Sequence, residues 1–237
     1  MSRPICVYND VGCVGVDPMK NLIRRHFPEK HIEEVSASDI LNKKALLKCN
    51  PSRFFMGGGE SRYLNIHLGK RGRDNILDYI HRGGLGFFAC SASYYASENL
   101  QYIERFKRFT QIIKLGKKHG QLGLFSGTAR GEACDFKGNG DFKNLAKVAF
   151  ANSVARIYYY KGPYFVGLGE DDEVLARFSG ITTHPAVVKS RYGQGLAILT
   201  SVHPEYDEKS LAKVGLKTTQ KEIDLFSKHL FSHLNNI

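Results

Sequence analysis

The sequence predicts an α/β fold, a mainly parallel sheet covered by helices on both faces and extended by antiparallel strands. Two observations carry this. Short apolar runs alternate with helix-like segments through much of the chain. The later runs are separated by glycine turns at Gly162, Gly167, Gly169, Gly193 and Gly195, which suggests an antiparallel extension of the same sheet.

Taken in order, Ile5–Tyr8 reads as the first strand, and Pro18–Phe27 as a helix with proline at an allowed early position. Strands at Ile32–Val35, Arg53–Met56 and Gly86–Ala89 alternate with helices at Ser38–Leu47 and Arg71–Arg82. Ala92–Lys118 is expected to be helical in one or two pieces, followed by a strand at Gly123–Phe125. The Gly-, Asp-, Asn- and Lys-rich stretch from Gly131 to Asn144 reads as a surface loop. Strands are then expected at Arg156–Tyr160, Val174–Phe178, Ala186–Ser190 and Leu196–Thr200. A closing helix over Gln220–Leu234 places Ile223, Phe226, Leu230 and Leu234 on one face. With no internal repeat, low-complexity tract or boundary signal, residues 1–237 are expected to form one domain.

A composition of 42% hydrophobic and 24% charged residues is ordinary for a globular chain. No stretch approaches the roughly 18 consecutive apolar residues of a membrane helix, and Met1-Ser2-Arg3-Pro4 leads into the first strand without a secretory core. The expectation is a cytoplasmic protein without a membrane partner. Five scattered cysteines (Cys6, Cys13, Cys49, Cys90, Cys134) with no Cys-x-x-Cys pair indicate neither a disulfide framework nor a zinc site, and no cofactor is expected. The net charge of +11 invites a nucleic-acid reading. Its basic clusters are Lys70, Arg71 and Arg73, then Arg105, Lys107 and Arg108, then Lys114, Lys117 and Lys118. They accompany no RNP, zinc-finger or helix-turn-helix signature, so they read as solvated surface with weak attraction for polyanions.

Cys90 stands where the apolar run Leu85-Gly86-Phe87-Phe88-Ala89 breaks into Ser91-Ala92-Ser93-Tyr94-Tyr95. A thiol on such a strand-to-helix corner is exposed at the carboxyl edge of a sheet, beside unpaired helix N–H groups that favour the thiolate. Its alternative is a small apolar residue closing a buried strand. After the run Leu196–Thr200 comes His203-Pro204-Glu205, in which the carboxylate can orient the imidazole. The strand end Met56-Gly57-Gly58-Gly59 lets backbone N–H groups approach a substrate closely, and with the N–H of Ser91 they make an oxyanion hole. Arg130, in Thr128-Ala129-Arg130-Gly131, either pairs a substrate carboxylate or holds its own loop. Tyr94 lies beside the thiol, as a substrate contact or as packing of the helix start.

These residues carry a family resemblance. Val7-Tyr8-Asn9-Asp10, Met56-Gly57-Gly58-Gly59-Glu60, Arg82-Gly83-Gly84, Phe87-Phe88-Ala89-Cys90-Ser91-Ala92-Ser93-Tyr94-Tyr95, Phe125-Ser126-Gly127-Thr128-Ala129-Arg130-Gly131, Tyr158-Tyr159-Tyr160-Lys161-Gly162 and Ser201-Val202-His203-Pro204-Glu205 span nearly the whole chain. Together they resemble the class I glutamine amidotransferase-like superfamily, and most closely the N-terminal amidotransferase-like domain of biotin-protein ligases. The resemblance implies a flavodoxin-like three-layer sandwich and a Cys90-His203-Glu205 triad, with Gly57, Gly58 and Ser91 as oxyanion donors. Where active, such a triad removes ammonia from glutamine through a thioester. The implied partners are a small-molecule or amide substrate and a ligase or synthetase that takes up ammonia. Active members usually carry Gly-x-Cys-x-Gly, whereas this chain has Phe88-Ala89-Cys90-Ser91-Ala92. Two functional classes therefore stand side by side: an amidotransferase-like protein acting on an amide or related acyl carbon, and a catalytically silent binding or regulatory domain of the same fold.

Overall fold

The computed structural model describes residues 3–42, 45–105, 110–133, 143–180 and 182–234. The elements run β1 (Ile5–Tyr8), α1 (Val16–His26), β2 (Ile32–Val35), α2 (Ala37–Asn42), α3 (Ala45–Cys49), β3 (Arg53–Met56), α4 (Ser61–His81), β4 (Leu85–Ala89) and α5 (Ser91–Ala96). They continue as β5 (Ser97–Arg105), β6 (Thr110–Gly116), β7 (Phe125–Arg130), β8 (Lys143–Phe150), β9 (Ser153–Tyr160), β10 (Tyr164–Val166), β11 (Asp172–Phe178), β12 (Pro185–Tyr192), β13 (Gly195–Thr200), α6 (Glu208–Ala212) and α7 (Gln220–Ser232).

The main sheet has the order β2-β1-β3-β4-β13-β12-β11-β8-β9. Pairing is parallel from β2 to β13 and antiparallel from β13 to β9, as the two sequence patterns predict. Alternation along β1 explains the layers: Ile5 and Val7 join a core with Met19, Leu22 and Ile23 of α1 and Phe226, Leu230 and Phe231 of α7. Cys6 and Tyr8 face the other way, into a core with Ile40, Leu64, Leu68 and Tyr95 from α2, α4 and α5. The result is a three-layer α/β sandwich.

Several expectations are revised, and the strand expected at Gly123–Phe125 runs instead as β7, Phe125–Arg130. The stretch Ala92–Lys118 is not helical in one or two long pieces: the short helix α5 is followed by the antiparallel pair β5 and β6, and a 3-10 turn begins at Lys117. With β7 and β10 these strands form a second sheet, ordered β10-β7-β5-β6. Leu100 and Tyr102 on β5, and Ile113 and Leu115 on β6, pack towards the same core at a spacing of two, the strand period. The described parts of the predicted helix Ser38–Leu47 belong to α2 and α3, with residues 43 and 44 outside the described residues. Arg71–Arg82 is the second half of the longer α4, which breaks at Gly69 (φ 53°, ψ −162°). Beyond that break Lys70 and Arg73 pair with Asp74. Much of the predicted Gly131–Asn144 loop, with Cys134, lies outside the described residues, and Asn144 belongs to β8.

The antiparallel half of the main sheet curls. Although β9 is the last strand in order, its end runs alongside the segment after β13: His203 N–H donates to Tyr158 O at 2.8 Å, and Ser201 Oγ donates to Pro163 O. No helix among the described residues is long and apolar enough to cross a membrane.

Candidate active site

Four segments from separate parts of the chain meet at the carboxyl ends of the parallel strands: the loop after β1, the glycine turn after β3, the β4–α5 corner and the turn after β13. At the corner, Cys90 adopts φ 51° and ψ −107°. A non-glycine residue in such a conformation costs on the order of 1–3 kcal/mol. The surroundings impose it: Cys90 N–H donates to Thr200 O at 2.8 Å, while Cys90 O accepts from Ser93 and Tyr94 N–H. Ser93 Oγ sits 2.8 Å from Phe88 O and 2.9 Å from Thr200 O, tying α5 to the ends of β4 and β13. The C-terminal carbonyls of α5 are taken up by Gln121 Nε2 on Tyr94 O and by the N–H groups of Leu122 and Leu124.

Phe88 does not crowd this corner. Its ring folds back along the strand over Gly86, whose absent Cβ would stand 2.5 Å from Phe88 Cε2, and meets Phe54 edge-on.

The His203 and Glu205 side chains meet across the turn that starts at Pro204, with Nδ1 2.7 Å from Glu205 Oε1. Both are buried. Among the described residues His203 Nε2 and Glu205 Oε2 have no hydrogen-bond partner, and neither does Ser91 Oγ. Burial alone would lower the His203 pKa, but the negative charges of Glu205 and Cys90 outweigh it and raise the pKa to about 10. The thiol and the imidazole converge on Gly58: a Cβ there would stand 2.7 Å from His203 Cε1 and 3.3 Å from Cys90 Cβ. Cys90 Sγ itself lies 3.3 Å from Tyr160 O.

The loop after β1 holds the glycine turn. Val14 N–H donates to Gly58 O at 2.7 Å, and Glu60 N–H to Gly12 O at 2.9 Å. Gly58 N–H has no acceptor among the described residues, and Ser91 N–H lies in the first turn of α5. Gly57 is turned elsewhere: its backbone abuts Cys13, whose Sγ would lie 3.2 Å from a Gly57 Cβ. Burial raises the Cys13 pKa to about 11.

Tyr94 is buried, its hydroxyl donating to Lys161 O at 3.1 Å and its ring edge-on to Tyr102. The hydroxyl also packs on Gly131, directly after Arg130. Arg130 ends β7, and its buried Nε has no partner among the described residues. Sequence reasoning missed the two rings around the His203 imidazole: Tyr158 and Tyr206 lie 5.3 and 5.8 Å from it, centroid to centroid. It also missed the Tyr160 and Lys161 carbonyls, which no side-chain pattern announces.

The family model described as biotin-protein ligase, N terminal, matches residues 5–235. The chain belongs to that family. No curated protein sequence matches it. Among solved structures, a glutamine amidotransferase is similar at a TM-score of 0.62 and 18% identity, over 85% of this chain and 90% of that one. The structure of PurLQS from Thermotoga maritima is similar at 0.61 and 14% identity, over 99% and 100%. A GH42 beta-galactosidase, Gan42B, is similar at 0.54 and 7% identity, over 99% of this chain but 30% of that one. This member of the biotin-protein ligase N-terminal family thus has a glutamine amidotransferase-like fold. Because that fold is shared with proteins of different names, it fixes no reaction.

Proposed function

We propose that this biotin-protein ligase N-terminal family member is an amidotransferase-like protein in which Cys90, His203 and Glu205 act on an amide or related acyl carbon. The observation that carries the reading is the Cys90 corner, with positive φ and the imidazole of a His203–Glu205 pair converging on the same glycine. In the reactive state the thiol proton of Cys90 resides on the His203 imidazole. Its sulfur attacks the carbonyl carbon, forming a C–S bond and an oxyanion that accepts from the N–H groups of Gly58 and Ser91. Collapse breaks the C–N bond while His203 gives its proton to the departing amine or ammonia, leaving a thioester. Water then attacks, its proton goes to His203, and the C–S bond breaks to release the acid. Glu205 holds the imidazole through Nδ1 throughout.

Arg130 selects a substrate bearing a carboxylate or similar anion, since its buried Nε has no hydrogen-bond partner among the described residues. Any ammonia released goes to a partner ligase or synthetase, and the free thiol suits the reducing cytoplasm. The test is competitive alkylation of the native protein with iodoacetamide at neutral pH, read by peptide mass spectrometry. Cys90 is expected to react at least about tenfold faster than Cys13, Cys49 or Cys6, and the advantage should vanish in His203→Gln. Reaction of Cys90 no faster than the others would overturn the reading.

A specific observation favours the second reading, a silent binding domain: Cys90 Sγ is placed on Tyr160 O, and His203 Nε2 has no partner among the described residues. In that case Cys90→Ala would leave ligand binding intact, and Arg130→Gln would remove it.

A further inference from the structure

A second group of chemistry-bearing side chains lies at the opposite end of the parallel strands from Cys90. Cys6 and Glu33 are register partners on β1 and β2, so their side chains share a face of the sheet. Cys49 ends α3 just before the chain enters β3. The two sulfurs and a Glu33 carboxylate oxygen all lie within 4.8 Å of one another, with Cys49 Sγ 3.4 Å from Glu33 Oε2.

We propose that Cys6, Cys49 and Glu33 form a binding site for a thiophilic divalent cation of the zinc class, its fourth position left to water. Spacing supports the choice. Tetrahedral bonds of about 2.3 Å to sulfur and about 2.0–2.2 Å to oxygen set donor atoms about 3.5–3.8 Å apart, so a cluster within 4.8 Å reaches that spacing by contractions of at most about 1.3 Å. Two sulfurs with one carboxylate also disfavour magnesium and calcium, which take all-oxygen shells.

The framework holds the ligands before any ion arrives. Ser52 N–H and Oγ both donate to Pro4 O, at 2.7 and 3.0 Å. Arg3 Nε donates to Asn50 O at 2.6 Å, and its Nη2 to Asn50 Oδ1 at 2.8 Å and Pro51 O at 2.9 Å. The residues just after Cys49 are therefore stitched to those just before Cys6. Exposure grades outward, from fully buried Cys6 through partly exposed Cys49 to exposed Glu33, which gives the ion a way in. Binding the dication displaces two thiol protons to solvent and leaves three anionic donors around it, so affinity rises with pH.

The probe is Co2+ titrated into the reduced full chain carrying Cys90→Ser, which removes the sulfur of the other site. One equivalent should give a near-ultraviolet sulfur-to-cobalt charge-transfer band with visible bands of tetrahedral cobalt, both abolished by one equivalent of Zn2+. Cys49→Ser should lose most of the charge-transfer intensity and bind at least about tenfold more weakly, while Glu33→Gln keeps the sulfur band at reduced affinity. No charge-transfer band at millimolar Co2+, or a band unchanged by Cys49→Ser, would overturn the proposal. Should Cys49→Ser fail to fold, thiol counting on the Cys90→Ser protein decides. Zn2+ should withdraw two thiols from reaction with a disulfide reagent, and an unchanged count rejects the site.

Discussion

At Phe88 a ring stands where the resemblance to active amidotransferases leads one to expect glycine, yet the next-but-one residue still turns the corner with positive φ. The room comes from Gly86, two residues back on the same face of β4. Phe88 is thus part of the core, and Phe88→Ala should cost about 3–5 kcal/mol in denaturant unfolding without speeding Cys90 alkylation. Gly58 is constrained for a different reason. A methyl group there falls 2.7 Å from His203 Cε1, so Gly58→Ala should displace the imidazole and lower the Cys90 alkylation rate by at least about tenfold while the fold persists. That the Cys90 corner and the His203–Glu205 pair lie at neighbouring strand ends was legible, because strand ends and a His-x-Glu spacing mark them. Cys13, Tyr158 and the Tyr160 carbonyl were not, because a backbone acceptor leaves no trace in residue type and a ring in a strand reads as core.

Among the elements, α5 depends on its first turn. Ser93 Oγ lies between Phe88 O and Thr200 O at the ends of two strands, and Ser93→Ala leaves this pair of buried carbonyls without their hydroxyl. The expected loss is about 1–3 kcal/mol in stability, with a shift in Cys90 reactivity, because the same two strands frame the corner. The parallel strands and α7 were legible from continuous apolar runs and a helical period. The segment after α5 was not: Leu100 and Tyr102, then Ile113 and Leu115, alternate as strand residues do, but the interspersed charges obscured the period. Cys6, Glu33 and Cys49 show the same limit, since only the pairing of β1 with β2 brings them together.

For the molecule as a whole, the charge state of His203 is a term in global stability. Its pKa is raised from about 6.5 to about 10 in the folded state, so its contribution is full below pH 6.5 and is lost as pH rises through 10. The stability difference between the wild type and His203→Gln should therefore shrink between pH 6.5 and 10. A difference independent of pH would contradict the assignment.

The curl that brings β9 back to the turn after β13 also sets when the grouping of Cys90, His203 and Glu205 can exist. Tyr158 O receives His203 N–H, Tyr160 O faces the Cys90 sulfur, and Lys161 O receives the Tyr94 hydroxyl, so one strand end works as a clasp across the corner. Closing it joins residues far apart in the chain, a late event when contacts of high sequence separation form slowly. The clasp can open while the parallel half stays intact, and hydrogen exchange at His203 N–H would then run ahead of that in β1 and β3. Reactivity at Cys90 would thus report the closed fraction of the molecule, not merely the folded one.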